Sequence, residues 1–423
     1  MTEPTSPVQI RDYRFFWLSR FLSVLAQTGT VVIIGYQLYD VARADYGMSI
    51  RVASFQLGLL GFAQFLPLML LTPVAGLAAD RFDRRHVAAL ALALDFAVAI
   101  ALAGTTASGM RSLPLLFAFA AMHGAIRVFM NPALAAIAPN IVPARLIPRA
   151  VAFNSLAWQT GTVVGPAIVG FLYARSPSLP YWFSAALLLV SLTSILLVRR
   201  TSQAKPDERN LHPWRRIADG FRFVWGERFL RGCITLDLFA VLLGGATALL
   251  PVFARDILHV GPEGLGQMRA APAFGAALVA IWFAWKPMER NVGSKMLWAV
   301  AAFGAFTAAF GLSRVFVLSI VLLAALGAAD MISVFIRSSL VQLNTPDDVR
   351  GRVSSIAGLA ISASNELGEM QSGVAAALLG ATGAVVFGGA GAIVVTVMWA
   401  VLFPEIRRAR TFEPEYRQRE AEP

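Results

Sequence analysis

Cysteine, histidine and lysine are nearly absent: among 423 residues there are one Cys, four His and three Lys (Lys205, Lys286, Lys295). The lone Cys233 cannot form an internal disulfide, and the scattered histidines have no metal-ligand spacing, so no metal site is expected. No GxxxxGK[ST] loop is present, which leaves nucleotide hydrolysis without its phosphate cradle. Neither GxSxG nor HExxH occurs, so nothing points to an enzyme or to a cofactor. Charge is also scarce. Only 14% of residues are charged, against about 25% in soluble domains.

What fills the chain is apolar: 57% of residues are hydrophobic and the mean hydropathy is +0.64. Several runs exceed the roughly 20 apolar residues that cross about 30 Å of hydrocarbon as a helix. The period-2 alternation of a barrel is missing, so the spans read as helices. Cutting at charged and Pro/Gly breaks predicts twelve, at about 15–40, 53–79, 87–107, 114–138, 150–173, 180–198, 233–255, 265–285, 295–312, 315–342, 350–379 and 383–403. The longest polar interruption, about 199–231, divides them six and six. The expected organisation is an N-terminal half (1–198), a linker (199–231), a C-terminal half (232–404) and a tail (405–423).

Basic residues set the orientation. An even-span reading puts 27 of the 36 Lys and Arg, Arg20 included, on the side of the two termini and seven opposite, with Arg127 and Arg337 inside spans. The positive-inside rule then places both termini in the cytoplasm. A net charge of +11 follows from basic loops meeting anionic headgroups, which makes nucleic acid a poor partner. The first apolar run is too long for a cleavable signal and begins after Arg14, so a multi-pass inner-membrane protein is expected.

The turn between spans 2 and 3 reads GLAADRFDRRH over residues 76–86. Residues 52–79 before it contain no acid, and 87–108 after it contain one ionisable group, Asp95. If span 2 ends near Gly76, basic side chains beyond it suit its orphan carbonyls. This stretch resembles the signature of the major facilitator superfamily, with Gly76, Asp80, Arg81, Arg84 and Arg85 at matching positions and Asp83 where the signature has Gly. The ADRFDRR form is similar to the branch holding the enterobactin exporter and macrolide and tetracycline efflux proteins. Stretches 16–27, 220–225, 344–355 and 403–407 are similar to that branch too. The resemblance implies an all-α integral membrane fold of twelve helices in two six-helix halves, and a cytoplasmic gate latch pivoting on Asp80. A plain topology anchor is the alternative. The corresponding turn at 285–295 keeps basic residues but lacks the Gly and the Asp-Arg pair.

Span 5 carries Gly161, Gly165, Pro166 and Gly170. Small residues four apart allow close helix contact, and Pro166 removes a backbone donor. The stretch resembles the antiporter signature of exporters, with Val169 replacing one of its paired glycines. Packing alone remains open.

Ionisable groups inside spans cost roughly 2.5–3.5 kcal/mol at the helix centre and are functional candidates by default. They are Asp95 (span 3), Arg127 (span 4), Asp330 (span 10), and Glu366 with Glu369 (span 11). The two glutamates share a helix face, where repulsion and desolvation disfavour the doubly charged form. In the resembling fold spans 1, 4, 7 and 10 line the cavity, which implies matching positions for Arg127 and Asp330. Asp330, Glu366 or Glu369 would carry the proton and Arg127 would hold an anionic substrate. The bland alternative is structural pairing, Asp95 with Arg127 and Asp330 with a donor of its own half.

Outside the spans, Trp214, Ile217, Phe221, Val224 and Trp225 recur near helical spacing, which predicts an amphipathic helix on the cytoplasmic membrane face after a flexible stretch at 200–212. Thr345, Pro346 and Asp348 predict a helix start with Thr345 as its cap. The expected function is export of a small organic molecule, a siderophore or amphiphilic drug, by proton antiport with alternating access. Uptake, lipid flipping or a non-transporting sensor are the alternatives. The expected partners are substrate, protons and lipids, with a monomer implied by the family.

Overall fold

The computed structural model describes residues 5–199, 213–286, 288 and 290–413. The stretch at 200–212 and the tail beyond 413 lie outside the described residues.

Apolar composition forces internal backbone pairing in lipid, and the chain answers with helices. These are α1 (Arg11–Ala44), α2 (Ile50–Arg81), α3 (Arg84–Ala107), α4 (Leu113–Ile141), α5 (Ile147–Arg175), α6 (Leu179–Leu197), α7 (Pro213–Gly226) and α8 (Arg228–Leu243). The short α9 (Leu250–Val252) leads through a π turn to α10 (Gly261–Trp285), α11 (Val292–Leu312), α12 (Phe316–Leu343), α13 (Asp347–Leu402) and α14 (Pro404–Arg408). Among the described residues ten segments are long and apolar enough to cross a membrane. The last of them turns at Gly380, whose φ of 77° lies in the left-handed region and joins two helices, and α10 adds a further 25 residues of helix. Counted this way the described residues hold twelve helices by length alone, in an all-α fold. Large apolar side chains such as Leu70, Trp298 and Val401 lie exposed, as lipid-facing residues do.

The chain separates into two compact units. The first comprises the chain up to Met48, Ala63–Asn210 and Val260–Ala270. Its centre is α1, whose Tyr13, Phe16, Ile33, Leu38 and Tyr39 are completely enclosed. Polar ties bind α1 to its neighbours: Ser191 Oγ donates to the Ser19 carbonyl at 2.8 Å, and the Tyr181 hydroxyl donates to Gln37 Oε1 at 2.6 Å. Gln37 in turn donates to Thr106 at 3.1 Å, so three helices share one network.

The second unit comprises Ser49–Phe62, Leu211–His259 and Ala271–Pro423. Its core gathers Cys233, Met296, Ile336, Leu340 and Trp399. Here the first turns of α2 cross α13 at glycines: a Cβ on Gly58 would lie 2.8 Å from the Gly373 Cα and 2.9 Å from the Met370 carbonyl oxygen. Backbone meets backbone with no flexible side chain to yield. Gly58→Val should therefore cost about 1–3 kcal/mol of overpacking, read as a lower thermal midpoint of the purified protein. An unchanged midpoint would show that the crossing is loose.

The amphipathic helix is α7, over Pro213–Gly226. Val224 is buried and Gly220 lies against Arg352 and Ile356 of α13, while Phe221 and Trp225 stack at 5.1 Å on the exposed side. The start of α13 corrects the expected cap. Pro346 occupies the cap position, and Thr345 Oγ1 bonds back to the Val341 carbonyl at 2.5 Å, so Thr345 closes α12.

Candidate functional site

The charged turn differs locally from its sequence reading. Helix α2 does not end near Gly76 but continues to Arg81, because no residue between them breaks the backbone pattern. A Cβ at Gly76 would meet nothing within 4 Å. Asp83, the departure from the family pattern, is the N-cap of α3 and accepts from the Arg85 backbone N–H at 2.9 Å. Arg85 Nη1 donates to the carbonyl of Val198, the C-cap of α6, at 2.6 Å. A basic side chain thus satisfies an orphan helix carbonyl, though that of α6 and not of α2. Arg81 is exposed and Arg84 is partnered; the side chain of Asp80 lies outside the described residues. Asp83→Ala should cost about 1 kcal/mol and Asp83→Gly only a few tenths, a difference that thermal melts of the two variants would resolve.

The glycines of α5 are spent on two neighbours. A Cβ at Gly161 would lie 2.7 Å from Val24, and one at Gly165 would lie 2.7 Å from the Leu25 carbonyl oxygen, so both face α1. Val169 fills the position opposite Gly29 of α1 as a knob. Pro166 is buried inside α5, and Gly170 faces Pro262 and Gly266 of α10. Each glycine of the stretch has a packing reason.

Buried charge follows a pattern that the sequence only partly anticipates. Asp95 does not pair with Arg127; its Oδ1 lies 2.6 Å from Nδ1 of His123, and both side chains are about 2% exposed. His123 precedes Arg127 by one helical turn, and its presence inside an apolar run was the available signal. Asp95 Oδ2 and His123 Nε2 have no partner among the described residues. In the second unit Arg337 of α12 pairs with Asp237 of α8, both nearly enclosed. That pair takes the arginine two turns beyond Asp330, and the alternative reading, a structural partner for Asp330 from its own half, is not seen among the described residues. Asp330 and Arg127 are each half-buried and have no hydrogen-bond or ion-pair partner among the described residues.

Glu366 and Glu369 are half-buried on α13 and both take part in polar or electrostatic contacts. Glu369 occupies space left by Gly61, where a Cβ would sit 3.2 Å from its Oε2. Arg20, counted above with the cytoplasmic charges, is instead 8% exposed within α1. Its Nη1 donates to Asn131 Oδ1 at 3.1 Å, and its guanidinium lies 5.2 Å from the Trp158 ring centroid. Among the described residues no group of three or more His, Cys, Asp or Glu could hold a metal ion.

These features are two helical units with charge inside apolar spans that is unpaired among the described residues, and a capped basic turn between α2 and α3. The profile of the family described as transmembrane secretion effector (MFS_3) matches residues 2–420. The chain belongs to this family. It is a multi-pass membrane transporter of the major facilitator superfamily and not an enzyme. Among curated relatives, an enterobactin exporter EntS of Escherichia coli O1:K1 is 26% identical over 415 residues, covering 95% of this chain and 94% of the relative. That of Citrobacter koseri is 27% identical over 414 residues with the same coverage. Solved structures show the same fold at low identity. A mutant form of the nucleoside transporter NupG superposes with a TM-score of 0.72 at 11% identity, covering 93% of this chain and all of that one. A bacterial homologue of the lysosomal transporter Spinster, inward-facing and unoccupied, gives 0.70 at 15%, covering 94% and 97%.

Proposed function

We propose that this transporter exports a small organic molecule, a siderophore of the enterobactin kind or an amphiphilic drug, across the inner membrane by proton antiport with alternating access. The observation that carries the reading is the pairing pattern of the membrane charges. Asp237 and Arg337 neutralise each other, whereas Asp330 and Arg127 stand unpaired among the described residues in apolar helices, where an idle charge is costly. An unpaired carboxyl can take and release a proton without unmaking a structural pair, and an unpaired guanidinium can hold an anionic substrate. Relatives that export enterobactin align over nearly the whole chain, which favours export and a siderophore-like cargo.

In this reading Asp330 carries the proton, with Glu366 and Glu369 as further carriers and Arg127 as substrate anchor. Asp95, bonded to His123, is a reserve candidate with one oxygen unpartnered among the described residues. The turn holding Gly76, Asp80, Arg81, Arg84 and Arg85 acts as a cytoplasmic latch, and the stretch of Gly161, Gly165, Pro166 and Gly170 lets α5 move on the neighbours it packs against, α1 at Gly161 and Gly165 and α10 at Gly170. Both termini face the cytoplasm, α7 lies on that face of the membrane, and the protein works as a monomer among lipids.

Inverted membrane vesicles with an acidic lumen test the direction and the coupling together. Enterobactin added outside should accumulate in the lumen and stop accumulating when an ionophore collapses the pH difference. Accumulation that ignores the pH difference, or that requires the lumen to be the alkaline side, would overturn proton antiport.

A further inference from the structure

We infer that the second half of α13, with Arg228 and Arg231 of α8 at its end, binds one anionic phospholipid. An acyl chain lies along the helix and the phosphate meets the two arginines. The ligand is a lipid and not the cargo, so the assignment holds whatever the protein exports. An open apolar groove of about 450 Å³ runs along this part of α13, lined by Ile393, Val394, Val397, Met398, Val401 and Leu402. Val394, Val397 and Val401 are each more than half exposed. Neighbouring helices set its edges. Ile393 lies against α11, where a Cβ on Gly304 would come within 2.9 Å of it, and the Leu402 carbonyl accepts from Arg228 Nη2 at 2.8 Å. The nine steps from Ile393 to Leu402, at 1.5 Å each, make about 14 Å, close to half of the roughly 30 Å hydrocarbon core. The groove is therefore about one leaflet deep and stops where α13 stops.

An apolar lining would suit any acyl chain, and the charge at the end of the groove selects the headgroup. Residues 222–231 and 404–408, which flank that end, hold five arginines and two acids. Glu405 takes up Arg228 Nε at 3.1 Å, yet the Arg228 side chain stays 57% exposed and its Nη1 has no partner among the described residues. Arg231 has no carboxylate partner among the described residues. Its guanidinium lies 5.7 Å from the Trp225 ring centroid and 6.0 Å from that of Phe403, and its Nη1 donates to the Trp225 carbonyl at 3.0 Å. The rings hold this cation in place without neutralising it. A phosphate diester supplies the missing charge by accepting from both guanidinium groups. Trp225 is half exposed, as an amphipathic ring at headgroup level is. Clustered arginines beside a membrane surface attract anionic lipid, whereas a choline headgroup would bring its own cation up to them.

Native mass spectrometry of the purified, delipidated full chain tests this with phosphatidylglycerol and phosphatidylcholine of identical acyl chains. Wild type should retain one phosphatidylglycerol at least tenfold more tightly than one phosphatidylcholine. Joint Arg228→Gln and Arg231→Gln should remove that preference by weakening phosphatidylglycerol alone. Val401→Trp, which puts an indole into the groove, should weaken both lipids. Arg14→Gln, at an exposed arginine of the other unit, should change neither. Equal retention of the two lipids by wild type, a preference that survives the double substitution, or one that Arg14→Gln removes as well would overturn the site. A dimer that added lipid does not disperse would give the groove to a second copy of the chain and overturn it too. Excess glycerol 3-phosphate should leave the bound lipid in place, and its displacement would overturn the part assigned to the groove. If the double variant does not fold, Arg228→Gln alone decides, since that side chain is mostly at the surface, and an unchanged preference there would overturn the assignment.

Discussion

Asp237→Ala should lower the stability of the purified protein by about 3–5 kcal/mol, a large fraction of what holds a membrane helix pair together. The carboxylate it removes is the partner of Arg337, and both side chains are more than nine-tenths enclosed between α8 and α12. Without it a guanidinium stays buried and uncompensated on α12. The size of the loss comes from the stranded charge, so removing both partners should be milder than removing one. Thermal unfolding of Asp237→Ala, Arg337→Leu and the double variant checks this: the double variant should be more stable than either single one. Additive losses would show that the pair is not a closed unit.

Asp330→Asn should leave folding intact and abolish pH-driven transport. The amide is nearly the same shape as the carboxyl, and Asp330 has no partner among the described residues to lose, so little structural cost is expected. What the amide cannot do is exchange a proton. Accumulation driven by a pH difference should fall at least tenfold, a change of about 1.4 kcal/mol or more in driving free energy, while exchange of labelled for unlabelled substrate continues. Wild-type accumulation in Asp330→Asn would move the carrier role to Glu366 or Glu369, and Glu366→Gln would be measured next.

Helices were the legible part of this chain. The break expected between 379 and 383 falls at Gly380, because only glycine takes its φ of 77° cheaply there. The amphipathic α7 was legible for a similar reason, since a polar interruption made its periodicity visible. Side-chain partners were not legible in the same way. Asp237 and Arg337 are a hundred positions apart, and Asp95 finds His123 across 28 residues where Arg127 was one turn further along the same helix. Rotation of a helix about its axis decides such choices, and helices apolar on every side carry little periodic signal to set that rotation. Arg20 was counted with the loop charges, and counting basic residues cannot see a cation held inside a helix bundle beside Asn131 and Trp158. Gly76 shows the opposite error. A glycine before a charged turn read as a helix end, yet α2 runs through it to Arg81.

Proton movement by the purified protein in sealed liposomes, followed with a pH-sensitive dye in an acidic lumen, tests the antiport claim most directly. Adding enterobactin outside should alkalinise the lumen with wild type and leave it unchanged with Asp330→Asn or with protein-free liposomes. Entry of enterobactin into wild-type liposomes with no change in lumenal pH would contradict proton antiport.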